Sequence, residues 1–178
     1  MNFTAELELR VRQYAQRNHL HLGQQLGYGM HGIVFVAESQ PGIGGVVLRS
    51  AIKVHRRELE YQRERDVYIR LRERGVATIR SCEVPQLLRH DDDLWIIEMT
   101  LVKRPFVLDF AGAYLDKAPD FSDEVWADWQ TEKREQFGRR WPEVQAVLRA
   151  LEGYGIKMLD VNPGNVSFVE SDDRPSSS

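Results

Sequence analysis

Near the end of the chain, an aspartate and an asparagine lie five positions apart in the segment Asp160–Asn165, whose sequence is DVNPGN. A carboxylate can accept a proton from a hydroxyl group or orient that hydroxyl, and an amide oxygen can bind a hard cation such as Mg2+. Asn-Pro-Gly also forms ordinary turns that carry no chemistry. The segment therefore predicts a rigid turn that is either a plain connection or a site in which Asp160 acts on a hydroxyl and Asn165 binds a metal ion.

A second candidate is the glycine pattern G-x-G-x-x-G formed by Gly27, Gly29 and Gly32. Glycines let the backbone approach a polyphosphate closely, with N–H groups pointing at it. A dinucleotide-binding fold needs a helix to begin at the third glycine, whereas Ile33–Val36 is β-branched and aromatic, as strands are. We therefore predict a glycine-rich β-hairpin that is either a plain hairpin or a cover over phosphates. No metal-ligand spacing involves His31, so we expect this turn residue to face solvent.

Lys53 is a third candidate, because it lies among apolar residues in a predicted strand, Val46–Val54. A half-buried lysine needs an anion as its partner. The helix predicted over Arg56–Arg74 places Glu60 and Glu64 on the same face as its apolar residues. An acid on that face is expected either to meet Lys53 and hold it toward a phosphate, or to pair with nearby arginines on a solvated face.

The elements that position these residues follow from the periodicity of apolar side chains. A leading helix over residues 4–18 has Thr4 as its N-cap and an apolar face formed by Leu7, Val11, Tyr14 and Ala15. Later elements are strands over Val84–Leu88 and Leu94–Met99, and helices over Val107–Leu115, Ser122–Phe137 and Pro142–Leu151. Strands first and helices later predict an α+β fold.

The composition limits the classes of function. The 178 residues suffice for one domain or for two small lobes that share a cleft. A formal net charge of -3 gives no electrostatic reason to expect nucleic acid or an anionic membrane as a partner. The single cysteine, Cys82, excludes an intrachain disulfide and fits a reducing compartment. Without a signal peptide or a bilayer-spanning apolar run, a soluble cytoplasmic protein is expected, with residues 170–178 disordered.

Taken in order, these motifs resemble the protein kinase superfamily, in its compact bacterial or small-molecule-kinase-like form. Residues 27–34 are similar to the G-x-G-x-x-G-x-V loop, and residues 51–53 to the V-A-I-K strand. Glu64 best matches the helix-C glutamate, and Ile97–Thr100 resembles the gatekeeper and hinge. Asp160–Asn165 resembles the D-x-x-P-x-N catalytic loop of aminoglycoside and related kinases. The resemblance covers residues 22–169 and implies a β-rich N-lobe over 1–100 and a reduced helical C-lobe over 101–169.

The resemblance also implies the chemistry: transfer of the γ-phosphate of ATP, with Mg2+, to a hydroxyl acceptor. Asp160 would orient the acceptor, Asn165 would bind Mg2+, and Lys53 would bind phosphates while paired with Glu64. The hinge backbone from Glu98 to Thr100 would receive adenine. The nucleotide-binding positions that the resemblance implies are Gly27, Gly29, Gly32, Val34, Ala51, Lys53, Glu64, Glu98, Met99 and Thr100.

The chain departs from the family pattern in its metal-binding acid. In the family, D-F-G follows the catalytic loop, whereas a serine-rich segment follows here. Asp109–Gly112, with the sequence DFAG, is similar to D-F-G but precedes Asp160. We therefore interpret it as part of the helix over Val107–Leu115, and we consider Asp172 or Asp173 as a substitute acid.

Two further substitutions affect the catalytic loop, because Met158 replaces the family's His or Tyr and Asn162 replaces its Lys or His. Two functions from different classes remain. One is a minimal ATP-dependent phosphotransferase, which the retention of Lys53, Asp160 and Asn165 favours. The other is a pseudokinase-like module that acts through contacts with a protein partner or a second copy covering the reduced C-lobe, which the missing D-F-G favours.

Overall fold

The computed structural model of the chain describes residues 3–42 and 45–169, and only the backbone of residue 3. The first half contains helix α1 (Phe3–Arg17), strands β1 (Leu20–Tyr28), β2 (Gly32–Ser39) and β3 (Arg49–His55), and helix α2 (Glu58–Glu73). Strands β4 (Thr78–Ile79), β5 (Cys82–Glu83), β6 (Leu87–Asp91) and β7 (Ile96–Thr100) follow.

The second half contains the strands β8 (Phe106–Val107) and β9 (Ala113–Leu115), helix α3 (Asp123–Phe137), helix α4 (Trp141–Glu152), and strands β10 (Ile156–Met158) and β11 (Val166–Ser167). A single 3-10 turn, Gly138–Arg140, joins the two helices. The predicted α+β class is confirmed, with a sheet-rich N-terminal region and helices later in the chain.

The main sheet has five antiparallel strands in the order β1-β2-β3-β7-β6. Because side chains alternate between the two faces of a strand, β3 separates its residues into two sets. Ile52 and Val54 pack under α1 with the apolar residues Leu7, Val11 and Tyr14. Ala51 and Lys53 point to the opposite face, where α2 and the later elements lie. The sheet is therefore covered on both faces.

The second core lies between α2, α4 and the short strands of the second half. From α2, it includes Tyr61, Val67, Tyr68 and Leu71, and from α4 it includes Trp141, Val144, Val147 and Leu151. These residues recur at three- and four-residue spacing, so each helix presents one apolar face. This core anchors the segment that carries Asp160 to the helix that carries Glu64.

Two short strand pairs align two loops side by side. In one pair, Ala113 of β9 lies opposite Met158 of β10, and in the other, Val107 of β8 lies opposite Val166 of β11. Both pairs are antiparallel. The loop between β8 and β9 and the loop between β10 and β11 are therefore held next to each other.

Most of the long elements match their predictions. The predicted apolar face of α1 is buried and consists of Leu7, Val11, Tyr14 and Ala15. Gly75 follows α2 with a φ of 65°, as expected of a glycine that ends a helix. Ser122 accepts a hydrogen bond from the Val125 N–H and so caps α3 as predicted. Thr4 is not an N-cap, because it lies inside α1, which already includes Phe3.

Three strand boundaries differ from the predictions. Strand β3 begins at Arg49, three residues later than predicted, and the Val46 carbonyl before it accepts a hydrogen bond from the Gly42 N–H. The strands predicted over Val84–Leu88 and Leu94–Met99 are β6 and β7, each shifted toward the C-terminus.

The prediction of a helix over Val107–Leu115 is wrong. Residues 106–107 are a strand that pairs with β5 and with β11, and residues 113–115 are a strand that pairs with β10, so tertiary pairing overrides the local pattern. Residues 170–178, with Asp172 and Asp173, lie outside the described residues. Among the residues described, no helix has the length and apolar composition needed to cross a membrane.

Candidate active site

A cleft of about 680 Å3 lies between the main sheet and the two aligned loops. The glycine-rich turn forms its roof, β3 and the end of β7 form its inner wall, and the loops that carry Asp109 and Asp160 form its floor. This volume falls in the range of small-molecule sites, which is about 300–1,000 Å3. The cleft is therefore large enough for a nucleotide-sized ligand.

Lys53 lies at the centre of the cleft with two carboxylates. Its Nζ is 2.7 Å from Glu64 Oε2 on α2 and 2.7 Å from Asp109 Oδ1 in the loop after β8. Only 5% of its side chain is exposed. Burial alone would lower the pKa of Lys53, but the negative charges of Glu64 and Asp109 outweigh it and raise that pKa. Lys53 is therefore a fixed cation.

Glu64 is the buried hub that connects α2 to the cleft. Besides Lys53, its Oε2 lies 2.6 Å from His55 Nε2, and its Oε1 accepts a hydrogen bond from the Phe110 N–H at 3.4 Å. Burial would raise the pKa of this carboxyl, but Lys53 and His55 lower it to about 2. Glu64 therefore remains ionised and holds the lysine, as the sequence led us to expect.

The structure brings Asp109 into the cleft, and the earlier interpretation of Asp109–Gly112 as helical is corrected here. Asp109 has a φ of 63°, in the left-handed region that aspartate visits more often than most residues. Phe110 is fully buried and contacts Tyr68 of α2 edge to face, with ring centroids 5.3 Å apart. The similarity of this segment to D-F-G was the signal in the sequence that could have placed Asp109 in the site. Its position before Asp160 led us to interpret it as helical instead.

Gly112 brings the two floor loops into direct contact. A Cβ atom at this position would lie 2.8 Å from the Cβ of Asp160, closer than two such atoms approach in folded proteins. Glycine is therefore required here for close approach rather than for an unusual φ angle. The DFAG and DVNPGN segments meet at this contact although they are about fifty positions apart in the chain.

The predicted turn at Asn162–Gly164 is confirmed and presents Asp160 to the cleft. The Asn162 carbonyl accepts from the Asn165 N–H at 2.9 Å, and its side-chain oxygen accepts from the Gly164 N–H at 2.9 Å. Asn165 Nδ2 donates to the Asp160 carbonyl at 2.7 Å. This hydrogen bond uses the donor end of the Asn165 amide.

His31 closes the cleft from above, so the prediction that it faces solvent is wrong. Its Nε2 lies 3.0 Å from Asp160 Oδ2, and its Nδ1 lies 3.4 Å from Glu60 Oε1 at the start of α2. Only 14% of its side chain is exposed. The hydrogen bond with His31 lowers the pKa of Asp160, and the same bond raises the pKa of His31.

Asp109 and Asn165 are the residues that could hold a divalent cation. Both line the cleft, and Asn165 uses its Nδ2 as a donor, so its amide oxygen is the end left to act as a ligand. No group of three His, Cys, Asp or Glu side chains within residues 3–42 and 45–169 forms a metal site by itself. Mg2+ typically takes one or two protein oxygen ligands and completes its shell with substrate phosphates and water. The residues present fit that arrangement.

Most of the other predicted nucleotide-binding residues line the same cleft. They are Gly27, Gly29, Gly32, Val34, Ala51, Met99 and Thr100. Glu98 does not, because its side chain lies on the face of β7 that α1 covers, where it accepts hydrogen bonds from Tyr14, Ser50 and Arg89. Its role in the structure is to hold α1 on the sheet.

The backbone available to a ligand lies just beyond the predicted hinge. Residues of β7 up to Thr100 pair with β3 on one side and β6 on the other, and the Thr100 N–H donates to the Gln86 carbonyl. Leu101 and Val102 lie outside these strands and line the cleft. Their peptide groups are therefore not taken up by the strand pairing that involves residues up to Thr100.

No protein-family model matches this chain, and no curated protein is significantly similar to it in sequence.

Proposed function

We propose that this protein is a kinase-like phosphotransferase that uses ATP and Mg2+ and moves the γ-phosphate to a hydroxyl acceptor. The observation that carries the proposal is the contact of Lys53 with both Glu64 and Asp109, in a cleft that Asp160 also lines. Protein kinases require a strand lysine paired with a helix glutamate, together with a metal-binding aspartate. The two regions 1–100 and 101–169 would then act as the N-lobe and the reduced C-lobe.

Asp109 takes the role for which Asp172 and Asp173 were considered. It lies in a D-F-x-G segment, contacts the lysine directly at 2.7 Å, and lines the cleft beside Asn165. These two residues would hold Mg2+, which neutralises charge on the phosphates when bound. Because Asp109 is present, the absence of D-F-G after the catalytic loop no longer argues against activity.

The remaining roles follow from the positions of the side chains and of the backbone. Lys53 would exchange Asp109 for phosphate oxygens while Glu64 and His55 keep it oriented. The N–H groups of the glycine-rich turn would face the phosphates, and residues 101–102 would receive the adenine edge. Positioning and charge stabilisation of this kind supply most of the catalysis in phosphoryl transfer.

In the transfer step, the acceptor oxygen forms a bond to the γ-phosphorus while the bond from that phosphorus to the bridging oxygen breaks. The electron pair of the broken bond remains with ADP. The proton of the acceptor hydroxyl passes to Asp160, because an aspartate carboxyl is ionised at neutral pH and can accept it. Asp160 must first be released from His31, since the imidazole occupies one of its oxygens.

The proposal is tested by titrating the protein with Mg-ATP in a calorimeter and by measuring transfer from γ-labelled ATP to water or to the protein itself. Lys53→Met and Asp109→Asn each remove a charged contact to phosphate or metal, so we expect affinity to fall by about ten-fold or more. Asp160→Asn should keep the affinity and slow transfer by about 10²-fold or more, as loss of a general base does. Lys117→Ala, on an exposed lysine, is the matched control.

The outcomes separate the candidate functions. If the wild-type protein does not bind Mg-ATP, the proposed phosphotransferase and every other nucleotide-dependent function are overturned. Binding without any transfer would favour the alternative, a pseudokinase-like module that acts through protein contacts. One observation favours this alternative. Phe121 and Val125, next to Trp126 at the start of α3, leave 44% and 47% of their surfaces exposed. A protein partner or a second copy of the chain is the proposed occupant of that surface.

A further inference from the structure

Two cations and four carboxylates meet at the end of the cleft that the glycine-rich turn covers. Lys53 bridges Glu64 on α2 and Asp109 in the floor. His31 bridges Glu60 on α2 and Asp160 in the floor. Each cation therefore links the same helix to one of the two floor loops, and each contacts a floor carboxylate that phosphoryl transfer needs to be free.

The turn presents His31 to the cleft from a constrained backbone. The Gly29 N–H donates to the Gly32 carbonyl at 3.0 Å, which closes the turn, and the Arg56 N–H donates to the His31 carbonyl at 3.0 Å. The imidazole points inward between Glu60 and Asp160 rather than out to solvent. It enters the cleft from the element that is expected to cover the phosphates.

One nitrogen of this imidazole has no hydrogen bond. His31 Nδ1 is buried and lies 3.4 Å from Glu60 Oε1, within ion-pair distance but without the geometry of a hydrogen bond, and Glu60 Oε2 is likewise buried and unsatisfied. Leaving a buried polar atom without a hydrogen bond is unfavourable, so a ligand that offers a better partner can replace this contact. The contact with Asp160 is the only hydrogen bond that the described residues make to the ring.

The surroundings of His31 favour its charged form. The charged groups that face it are Asp160 from the floor, Glu60 from α2, Asp109 from the loop after β8 and Lys53 from β3, with Arg56 and Arg57 near the turn and Glu60. Acids outnumber the one cation in the cleft itself. These neighbours raise the pKa of His31 and so favour the imidazolium form, next to the position where the terminal phosphate of a nucleotide must lie for Asp160 to act.

We propose that His31 is a phosphate-binding residue, whose imidazole contacts Asp160 in the structure and moves to the terminal phosphate of a nucleotide when one binds. This inference rests on the proposed function. A terminal phosphate carries more negative charge than a carboxylate and offers three acceptor oxygens, so it competes well for the imidazolium. The exchange frees Asp160 for the acceptor hydroxyl and makes the cleft select triphosphates over diphosphates.

The test compares the dissociation constants of Mg-ATP and Mg-ADP for wild type, His31→Asn and His31→Lys at pH 6.5. His31→Asn can still donate to Asp160 but carries no charge, so the preference for ATP over ADP should fall by about ten-fold while ADP affinity changes little. His31→Lys restores the cation and should recover part of the preference. His21→Asn, on an exposed histidine of β1, is the control and should behave as wild type.

The pH dependence provides a second readout that a merely structural role would not change. Because the pKa of His31 is raised, its positive charge is present at low pH and is lost as the pH rises through that pKa, so the wild-type preference for ATP should decline with pH. The terminal phosphate also titrates near pH 6. The comparison is therefore between wild type and His31→Asn at each pH, and the variant should lack the decline.

Several outcomes would overturn this inference. An unchanged ATP-to-ADP ratio in His31→Asn, or an equal loss of both affinities, would show that His31 only holds the turn in place. Wild-type protein that binds neither nucleotide would remove the proposed function and this inference together. Wild-type protein that binds both equally tightly would remove only the inference. Thermal unfolding of each variant confirms that the compared proteins are folded.

Discussion

At the scale of single residues, the cleft depends on a buried carboxylate with several partners. Glu64 contacts Lys53 at 2.7 Å, His55 at 2.6 Å and the backbone N–H of Phe110 at 3.4 Å. A buried ion pair is weak evidence of stability by itself, because desolvation costs about as much as the attraction returns. The role of the Glu64–Lys53 pair is instead to fix the direction of the Lys53 side chain, and in this way Glu64 affects the chemistry of the cleft.

Replacing Glu64 by Gln should destabilise the protein in a pH-dependent manner. Loss of one partner of a buried pair costs about 3 kcal/mol in the free energy of unfolding. The pKa of Glu64 is lowered to about 2, so its contribution is complete above the unfolded value near 4.3 and disappears as the pH falls toward 2. Urea denaturation of wild type and Glu64→Gln between pH 7 and 2.5 measures the difference, which should shrink with acid.

The control for this prediction is Glu73→Gln, which changes an exposed glutamate at the other end of the same helix. Its effect should be small and nearly independent of pH. A difference between wild type and Glu64→Gln that stays constant down to pH 2.5 would contradict the assigned pKa, because it would mean that the Glu64 carboxyl has the same pKa in the folded and unfolded states.

At the scale of elements, the sequence predicted what is long and periodic. The four helices carry a repeated apolar spacing, and the hairpin of β1 and β2 was predicted from its glycine turn and the β-branched and aromatic run Ile33–Val36. Strands β8 to β11 are two or three residues long and have no such repeat. Their positions depend on partners across the chain, which local patterns do not report. This is why Asp109 was assigned to a helix.

The glycine-rich hairpin allows its structural and ligand-facing glycines to be separated. A Cβ at Gly32 would lie 2.1 Å from the Val54 carbonyl oxygen of β3, so Gly32→Ala must push two strands apart and should cost about 1–3 kcal/mol of stability. A Cβ at Gly29 meets nothing within 4 Å. Gly29→Ala should therefore keep the stability and weaken Mg-ATP binding, because its methyl group faces the cleft.

Urea denaturation and calorimetric titration of the two variants provide the comparison, and Gly42→Ala in the loop before β3 is the control. We expect a loss of stability only in Gly32→Ala. Equal destabilisation by Gly29→Ala would mean that the turn is packed against protein rather than open to a ligand. An unchanged affinity of Gly29→Ala for Mg-ATP would mean that Gly29 is not part of the proposed phosphate site.

At the scale of the whole molecule, the pairing of the short strands explains how the DFAG and DVNPGN segments can lie side by side whichever of them comes first in the chain. The loop that carries Asp109 lies between β8 and β9, and the loop that carries Asp160 lies between β10 and β11. Strand β8 pairs with β11 and β9 pairs with β10. Either strand–loop–strand segment can come first in the chain without changing these pairs. The side chains Asp109 and Asp160 therefore line one cleft although the DFAG segment precedes the DVNPGN segment, and the sequence interpretation, which assigned Asp109 to a helix, did not predict this.

The two faces of the main sheet divide the molecule into a cleft and a support. On the supporting face, Glu98 accepts hydrogen bonds from Tyr14 at 2.9 Å, from Ser50 at 2.9 Å and from Arg89 at 2.8 and 3.1 Å. This network joins α1 to β3, β6 and β7; Tyr14, Ser50 and Glu98 are buried in it, and Arg89 reaches them from the exposed edge. The strand neighbours of Glu98 and Ser50, Met99 and Ala51, line the cleft on the other face.

Replacing Glu98 by Gln should therefore lower stability without affecting the cleft. The substitution removes the charge that pairs with Arg89 and leaves a donor where acceptors are needed, at a cost of about 2 kcal/mol. Below the unfolding transition, the affinity for Mg-ATP should equal that of the wild type, because the side chain lies on the other face of the sheet. Urea denaturation and calorimetry check the two halves of the prediction, with Asp93→Asn on the exposed β6–β7 turn as control. A selective loss of nucleotide affinity in Glu98→Gln would return Glu98 to the binding site and would mean that the two faces of the sheet are coupled.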